Sequence, residues 1–108
     1  MTDKVNILGV KVDKASISHA VSKIMQFLNE DRMHSVFTPN SEILMEAYKN
    51  EEFREVLNNA DLLTADGIGV VYASRILKNP IPARAAGFDI ACELLETLKG
   101  TSYKIFLF

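Results

Sequence analysis

Short apolar runs of strand character alternate along this chain with stretches of helical periodicity, and that alternation leaves few folds open. Val5 to Val10 is an apolar run ended by Gly9 and Lys11, suited to a first strand or to one arm of a hairpin. After Ser16, a candidate N-cap, Ile17, Ala20, Val21, Ile24, Met25 and Leu28 recur at spacings of three and four. They predict an amphipathic helix that Asn29-Glu30-Asp31 ends. Val36-Phe37-Thr38 predicts a short buried strand stopped by Pro39, with Asn40 or Ser41 capping a helix from Glu42 to Lys49. Asn50 caps the next helix, whose first turn holds Glu51 and Glu52 and whose buried stripe is Phe53, Val56 and Leu57.

Leu62-Leu63-Thr64 predicts another strand, and Gly67 to Leu77 a helix with Ile68, Val71, Tyr72 and Ile76 apolar, broken at Asn79-Pro80-Ile81-Pro82. Phe88 to Lys99 is helical again, closed by Gly100, and Tyr103 to Phe108 predicts a strong strand. Strands alternating with helices of about ten residues imply an α/β fold with a largely parallel sheet and helices on its faces. Ile105-Phe106-Leu107-Phe108 has the composition of an interior strand, yet no crossover follows it. The expectation is that the sequence stops mid-domain, residues 1–108 being the N-terminal part of a single α/β domain whose second half carries further substrate contacts.

Composition narrows the function classes. Hydrophobic residues make up 48% of the 108 and charged residues 24%, enough apolar material for a core and too much for disorder. A formal net charge of -2 gives no cationic surplus for nucleic acid phosphates. Cys92 is the single cysteine, so no internal disulfide framework exists, and the reducing cytoplasm is the expected compartment. No segment approaches the roughly 20 apolar residues that span a bilayer.

Three polar clusters stand where apolar segments end: Thr38-Pro39-Asn40, Asp66-Gly67-Ile68-Gly69, and Arg84-Ala85-Ala86-Gly87-Phe88-Asp89. Open α/β proteins bind ligands beyond the carboxyl ends of their strands, so the clusters are expected to converge on one site. Gly67-Ile68-Gly69 is not a dinucleotide fingerprint, because Tyr72 stands where the third glycine is required. His19 and His34 have no cysteine or carboxylate at ligand spacing and the chain has no Asp-x-Asp, so no metal and no cofactor are predicted. Cys92 reads as a small core residue.

The ordered series Thr38 to Ile43, Asn58 to Leu62, Asp66 to Val71 and Pro82 to Asp89 resembles the motifs of the WecG/TagA/CpsF glycosyltransferases over nearly the whole chain. The resemblance implies a Rossmann-like fold with helices on both faces of the sheet. It implies an inverting, metal-independent transfer of N-acetylmannosamine, or its uronic acid, from a UDP donor to undecaprenyl-diphosphate-linked N-acetylglucosamine. The expected setting is the inner face of a bacterial cell membrane, in teichoic acid linkage-unit synthesis, with membrane contact through a C-terminal part. A homo-oligomer is compatible with it.

On that reading Asp66, where the family's proposed catalytic Asp falls, takes the proton of the attacking acceptor hydroxyl, and Gly67 lets substrate approach the backbone. Thr38 and Asn40 position the sugar, and Arg84 holds a diphosphate with its planar fork. Plainer readings compete at each position: Asp66 as a helix cap, Thr38 as a strand end, Asn40 as an N-cap, Arg84 as a solvated loop cation. The competing function is a non-catalytic α/β module that binds a nucleotide or a partner through the same loops.

Overall fold

The computed structural model describes residues 3–108. Its chain order is β1 (Lys4–Ile7), β2 (Val10–Asp13), α1 (Ile17–Leu28), β3 (Val36–Phe37), α2 (Ser41–Lys49), α3 (Glu51–Asn58), β4 (Leu62–Leu63), α4 (Ile68–Ile76) and α5 (Gly87–Thr97). The class is α/β, as the alternation predicts. The sheet is smaller than expected: an antiparallel hairpin β1–β2 and, separately, a parallel pair β3–β4. The apolar run from Val5 to Val10 contains the hairpin turn itself, because Leu8 and Gly9 both take positive φ, 53° and 90°. Two consecutive left-handed residues give a turn whose twist matches that of the flanking strands.

Helix starts follow the local side-chain chemistry. Ser16 Oγ accepts from the His19 N–H, Asn40 Oδ1 from Ile43, and Asn50 Oδ1 from Phe53, each satisfying an orphan donor of the first turn. Helices cover both faces of the parallel pair. Leu63 and Phe37 pack with the hairpin, Leu44, Leu57, Val70 and Val71, whereas Leu62 and Val36 pack with Ala20, Val21 and Ile90. So α2, α3 and α4 lie on one face and α1 and α5 on the other.

Four sequence expectations change. Residues 103–108 form no strand; Ile105, Phe106, Leu107 and Phe108 are all exposed, because they have no neighbouring strand to complete their hydrogen bonds. Val56 faces outward from α3, which buries Leu57 alone. In α4 the buried side is Val70, Val71 and Ser74, while Ile68, Tyr72 and Ile76 are exposed. Helix α4 begins at Ile68, and only the phase set by that start decides which of its apolar residues turn inward. Cys92 is exposed and not a core residue.

Side chains tie the layers together. Asn58 accepts from Lys11 N–H and donates to the Gly9 carbonyl, fixing the end of α3 to the hairpin. Ser74 Oγ, fully buried, donates to the Val71 carbonyl and accepts from Ile81 N–H at 2.9 Å, which pins the proline loop after α4. Asp61 accepts from Ser35 N–H and from Arg32, joining the amino ends of β3 and β4. Asp13, 2% exposed, accepts from Leu63 N–H at 2.9 Å and so links the hairpin to the parallel pair.

Burial pushes the Asp13 carboxyl above its ordinary value, against the opposing pull of the Leu63 N–H and of Lys4, 3.8 Å away. A carboxyl with a raised folded pKa binds its proton more tightly in the folded state. Its contribution favours folding at acid pH and is lost as pH rises through the folded value. Urea titrations are therefore expected to show wild type losing stability relative to Asp13→Asn between acid and neutral pH. Asp13→Val, which orphans the Leu63 N–H, is expected to lose about 1–3 kcal/mol at either pH. A wild type that gained on Asp13→Asn toward neutral pH would show that the Lys4 pairing outweighs burial.

Candidate functional site

Parallel pairing sets β3 and β4 side by side in the register Val36↔Leu62 and Phe37↔Leu63. Their continuations therefore leave at the same end, Thr38-Pro39-Asn40 from one strand and Thr64-Ala65-Asp66 from the other. The Asp66 N–H donates to the Pro39 carbonyl at 3.2 Å, holding the two exits together. The third cluster reaches them as an extended segment beside β4: Ala85 N–H donates to the Ala65 carbonyl at 2.8 Å and the buried Thr64 hydroxyl donates to the Ala85 carbonyl at 3.0 Å. These two bonds aim Arg84 and Gly87 at the end of β4. All three polar clusters converge.

Asp66 stands at their meeting point. One carboxylate oxygen, Oδ2, accepts from Gly87 N–H at 3.3 Å, and Oδ1 lies 3.5 Å from the Arg84 guanidinium. Its side chain is 28% exposed and that of Arg84 56%, so the pair opens to solvent and the cation is free to turn toward a ligand. The plain reading of Asp66 as a cap of its own helix fails. Gly67 is the N-cap of α4, and no side chain caps that helix. Helix α5, which starts after Ala86, has no capping side chain at its N-cap either, and its Gly87 N–H goes to Asp66 itself. Helices α1, α2 and α3 are all capped by their own N-cap side chains, so the two helix starts that lack one are the two beside Asp66.

Two glycines make this approach close. Gly67 has φ 106° and ψ 147°, a conformation that L residues avoid. Gly87 has an ordinary backbone, but a Cβ there would meet Thr38 Oγ1 at 2.7 Å. The sequence reading includes Gly87 in the third cluster but gives it no role; the signal it carries is a poor helix former used as the first residue of a helix.

Each remaining expected residue has a definite place. Thr38 lies against Gly87, and Pro39 next to it is buried. Asn40 does cap α2 with its Oδ1, so the plain reading of that atom holds. Its Cβ also lies 3.9 Å from where a Gly67 side chain would start, so Asn40 borders the Gly67 backbone. Among the described residues no three His, Cys, Asp or Glu side chains group as a metal site.

The arrangement offers one carboxylate as proton acceptor, one mobile guanidinium, and the N–H groups of two helix starts for an anion. A Gly87→Ala substitution is expected to cost about 1–3 kcal/mol by overpacking against Thr38. In a Thr38→Ala background the cost is expected to shrink or reverse, since alanine is the better helix former. Additive effects in that double-mutant cycle, read by chemical denaturation, would contradict the contact.

Residues 5–108 match the glycosyl transferase WecG/TagA/CpsF family. The chain is also 35% identical over 108 residues to proteins named N-acetylglucosaminyldiphosphoundecaprenol N-acetyl-beta-D-mannosaminyltransferase in Staphylococcus aureus strains NCTC 8325, COL and MRSA252. Each alignment takes in 98% of this chain and 42% of the relative, so the chain spans less than half the length of these curated relatives.

Proposed function

The chain belongs to the WecG/TagA/CpsF glycosyltransferase family, and from that premise we propose that its clustered loops form the catalytic part of an N-acetylmannosaminyltransferase. The donor is a UDP-linked N-acetylmannosamine or its uronic acid. The acceptor is N-acetylglucosamine on undecaprenyl diphosphate, at the inner face of the cell membrane. The observation that carries the reading is the Asp66 carboxylate between two helix starts that lack an N-cap side-chain bond, with Arg84 beside it.

The chemistry follows from charge. A hydroxyl attacking an anomeric carbon must shed its proton as the bond forms, and a carboxylate within hydrogen-bond reach accepts it. Asp66 is that group, and its geometry serves the step: the Gly87 N–H fixes one oxygen, and the other is released when Arg84 turns away. Opposite the attack, the departing UDP gathers negative charge on its diphosphate. The first-turn N–H groups of α4 and α5 other than that of Gly87 supply donors already in place as that charge develops, and Arg84 joins them once it turns from Asp66. Displacement from one side, with the nucleophile and the leaving group opposed, inverts the anomeric carbon. No metal is needed in this scheme, because the guanidinium and the helix termini take the part of a cation.

Thr38 and Asn40 border Gly87 and Gly67 and supply hydrogen bonds for the sugar. Ile68 and Phe88, in the first turns of α4 and α5, are exposed, and so is Tyr72 one turn further along α4. Such exposed apolar side chains suit an acceptor whose diphosphate is joined to a lipid.

In the full-length protein, release of UDP from UDP-N-acetylmannosamine with a short-chain lipid-diphosphate N-acetylglucosamine acceptor is expected to fall by about 10²–10⁴-fold in Asp66→Asn. Arg84→Ala is expected to raise the donor KM as well as lower kcat. Asp66→Asn retaining most of its transfer activity, with donor binding intact, would remove Asp66 as the base. A folded protein inert toward every UDP-sugar offered would leave the binding-module reading in its place.

A further inference from the structure

The tip of the β1–β2 hairpin holds a residue that its turn does not favour. Leu8 and Gly9 both take positive φ, a conformation for which Asn-Gly is the usual pair, yet the first position is a leucine and that leucine is exposed. Asn6 Oδ1 accepts from the Gly9 N–H, so closure of the turn does not require the leucine side chain. Across a groove of about 500 Å³ the tip faces the end of α4, where Ala73, Ile76 and Leu77 form the other wall. Ile76 is 80% exposed, and Tyr72 and Leu77 are exposed with it. Ile68, Tyr72 and Ile76 stand four residues apart, a single row along the outer side of α4. Apolar groups gathered in this way are costly to leave in water.

Charge says what covers them. The guanidinium of Arg75 lies 5.7 Å over the Tyr72 ring, and Lys78 is exposed just beyond Leu77. Lys11 is exposed on β2, and Arg54 of α3 reaches the turn, its Cδ 3.0 Å from where a Gly9 side chain would start. No Asp or Glu occurs from residue 67 to residue 88, although the chain carries 14 of them. Lysine is depleted in the interfaces between proteins. A bilayer with anionic lipids, by contrast, takes apolar side chains into its acyl boundary and attracts Lys and Arg to its headgroups. Tyr72 has the amphipathic ring favoured at that level.

We propose that the hairpin tip and the outer row of α4 form a membrane-contact face, with Leu8, Ile76 and Leu77 entering an anionic bilayer and Arg75 and Lys78 at its phosphates. The row begins at Ile68, the residue after Gly67, so the contact runs along the helix whose start borders Asp66. This face belongs to the residues described here and is separate from the membrane contact expected of a C-terminal part. The inference stands on exposure and charge and does not depend on the catalytic reading.

The 108-residue chain has no tryptophan, so a single introduced one reports its own surroundings. Leu8→Trp and Ile76→Trp are compared with Val56→Trp, on the exposed side of α3, and with Phe106→Trp, in the exposed end segment. Each is added to phosphatidylglycerol vesicles that carry bromine on their acyl chains. The expected result is blue-shifted emission, quenched by the bromine, from positions 8 and 76 and neither change at 56. Arg75→Gln or Lys78→Gln in the same chains is expected to weaken vesicle affinity about fivefold. Added salt is expected to weaken it further. Unchanged emission at 8 and 76, in variants whose far-ultraviolet circular dichroism matches wild type, would overturn the proposal. So would quenching confined to 106, the mark of contact through residues 103–108, or equal quenching at 56, or affinity indifferent to both Arg75 and Lys78.

Discussion

A parallel ladder only two residues long, Val36–Phe37 beside Leu62–Leu63, decides where every candidate side chain stands. Because the two strands point the same way, their loops emerge together, and a third loop is stitched to the second by the Thr64 and Ala65 bonds to Ala85. An antiparallel pairing of the same segments would send Thr38 and Asp66 to opposite ends. The ladder is short, and its neighbours hold it: Asp13 takes a β4 N–H from the hairpin side, and Asp61 joins the amino ends through Ser35 and Arg32. Two carboxylates, Asp13 buried beside β4 and Asp61 at the amino ends of the strands, thus support the third carboxylate, Asp66, which the fold leaves open.

The site is built by subtraction as much as by addition. Gly67 gives the chain a backbone conformation that a side chain would forbid, and Gly87 gives Thr38 room. The absence of N-cap side-chain bonds at α4 and α5 leaves first-turn donors other than the Gly87 N–H for something other than the protein, whereas Ser16, Asn40 and Asn50 close the other three helices. Asp66 is held by one N–H and one exposed guanidinium, an arrangement that fixes the carboxylate without enclosing it. Positioned groups with spare hydrogen-bonding capacity are what an anionic leaving group and a deprotonating hydroxyl both require.

What could be read from the sequence follows the range of the forces involved. The N-caps Ser16 and Asn50 were legible because capping is decided within three residues. The convergence of the three clusters was legible too, since strand and helix alternation alone dictates that such loops share an end. Other features depend on partners far away in sequence. The second hairpin strand hides behind Leu8 and Gly9, inside what reads as one apolar run, and Lys11 reads as its end although it lies within β2. The outward phase of Val56 and Ile76 depends on where each helix starts and on which sheet face it meets. Gly87 stood in the third cluster, but its role was illegible because that role is contact with Thr38, 49 positions earlier. Tyr103–Phe108 has strand composition, yet a strand is made only when an edge is paired, and composition does not state which edge.

The central claim is that Asp66, Arg84 and the starts of α4 and α5 surround one sugar-nucleotide site. A crystal structure of the full-length protein with UDP-N-acetylmannosamine and a short-chain acceptor tests it most directly. The account predicts the diphosphate on Arg84 and the N–H groups of the two helix starts, with an Asp66 oxygen within hydrogen-bond reach of the acceptor hydroxyl. A donor seated away from these loops, or a diphosphate held elsewhere with Asp66 still closed on Arg84, would contradict it.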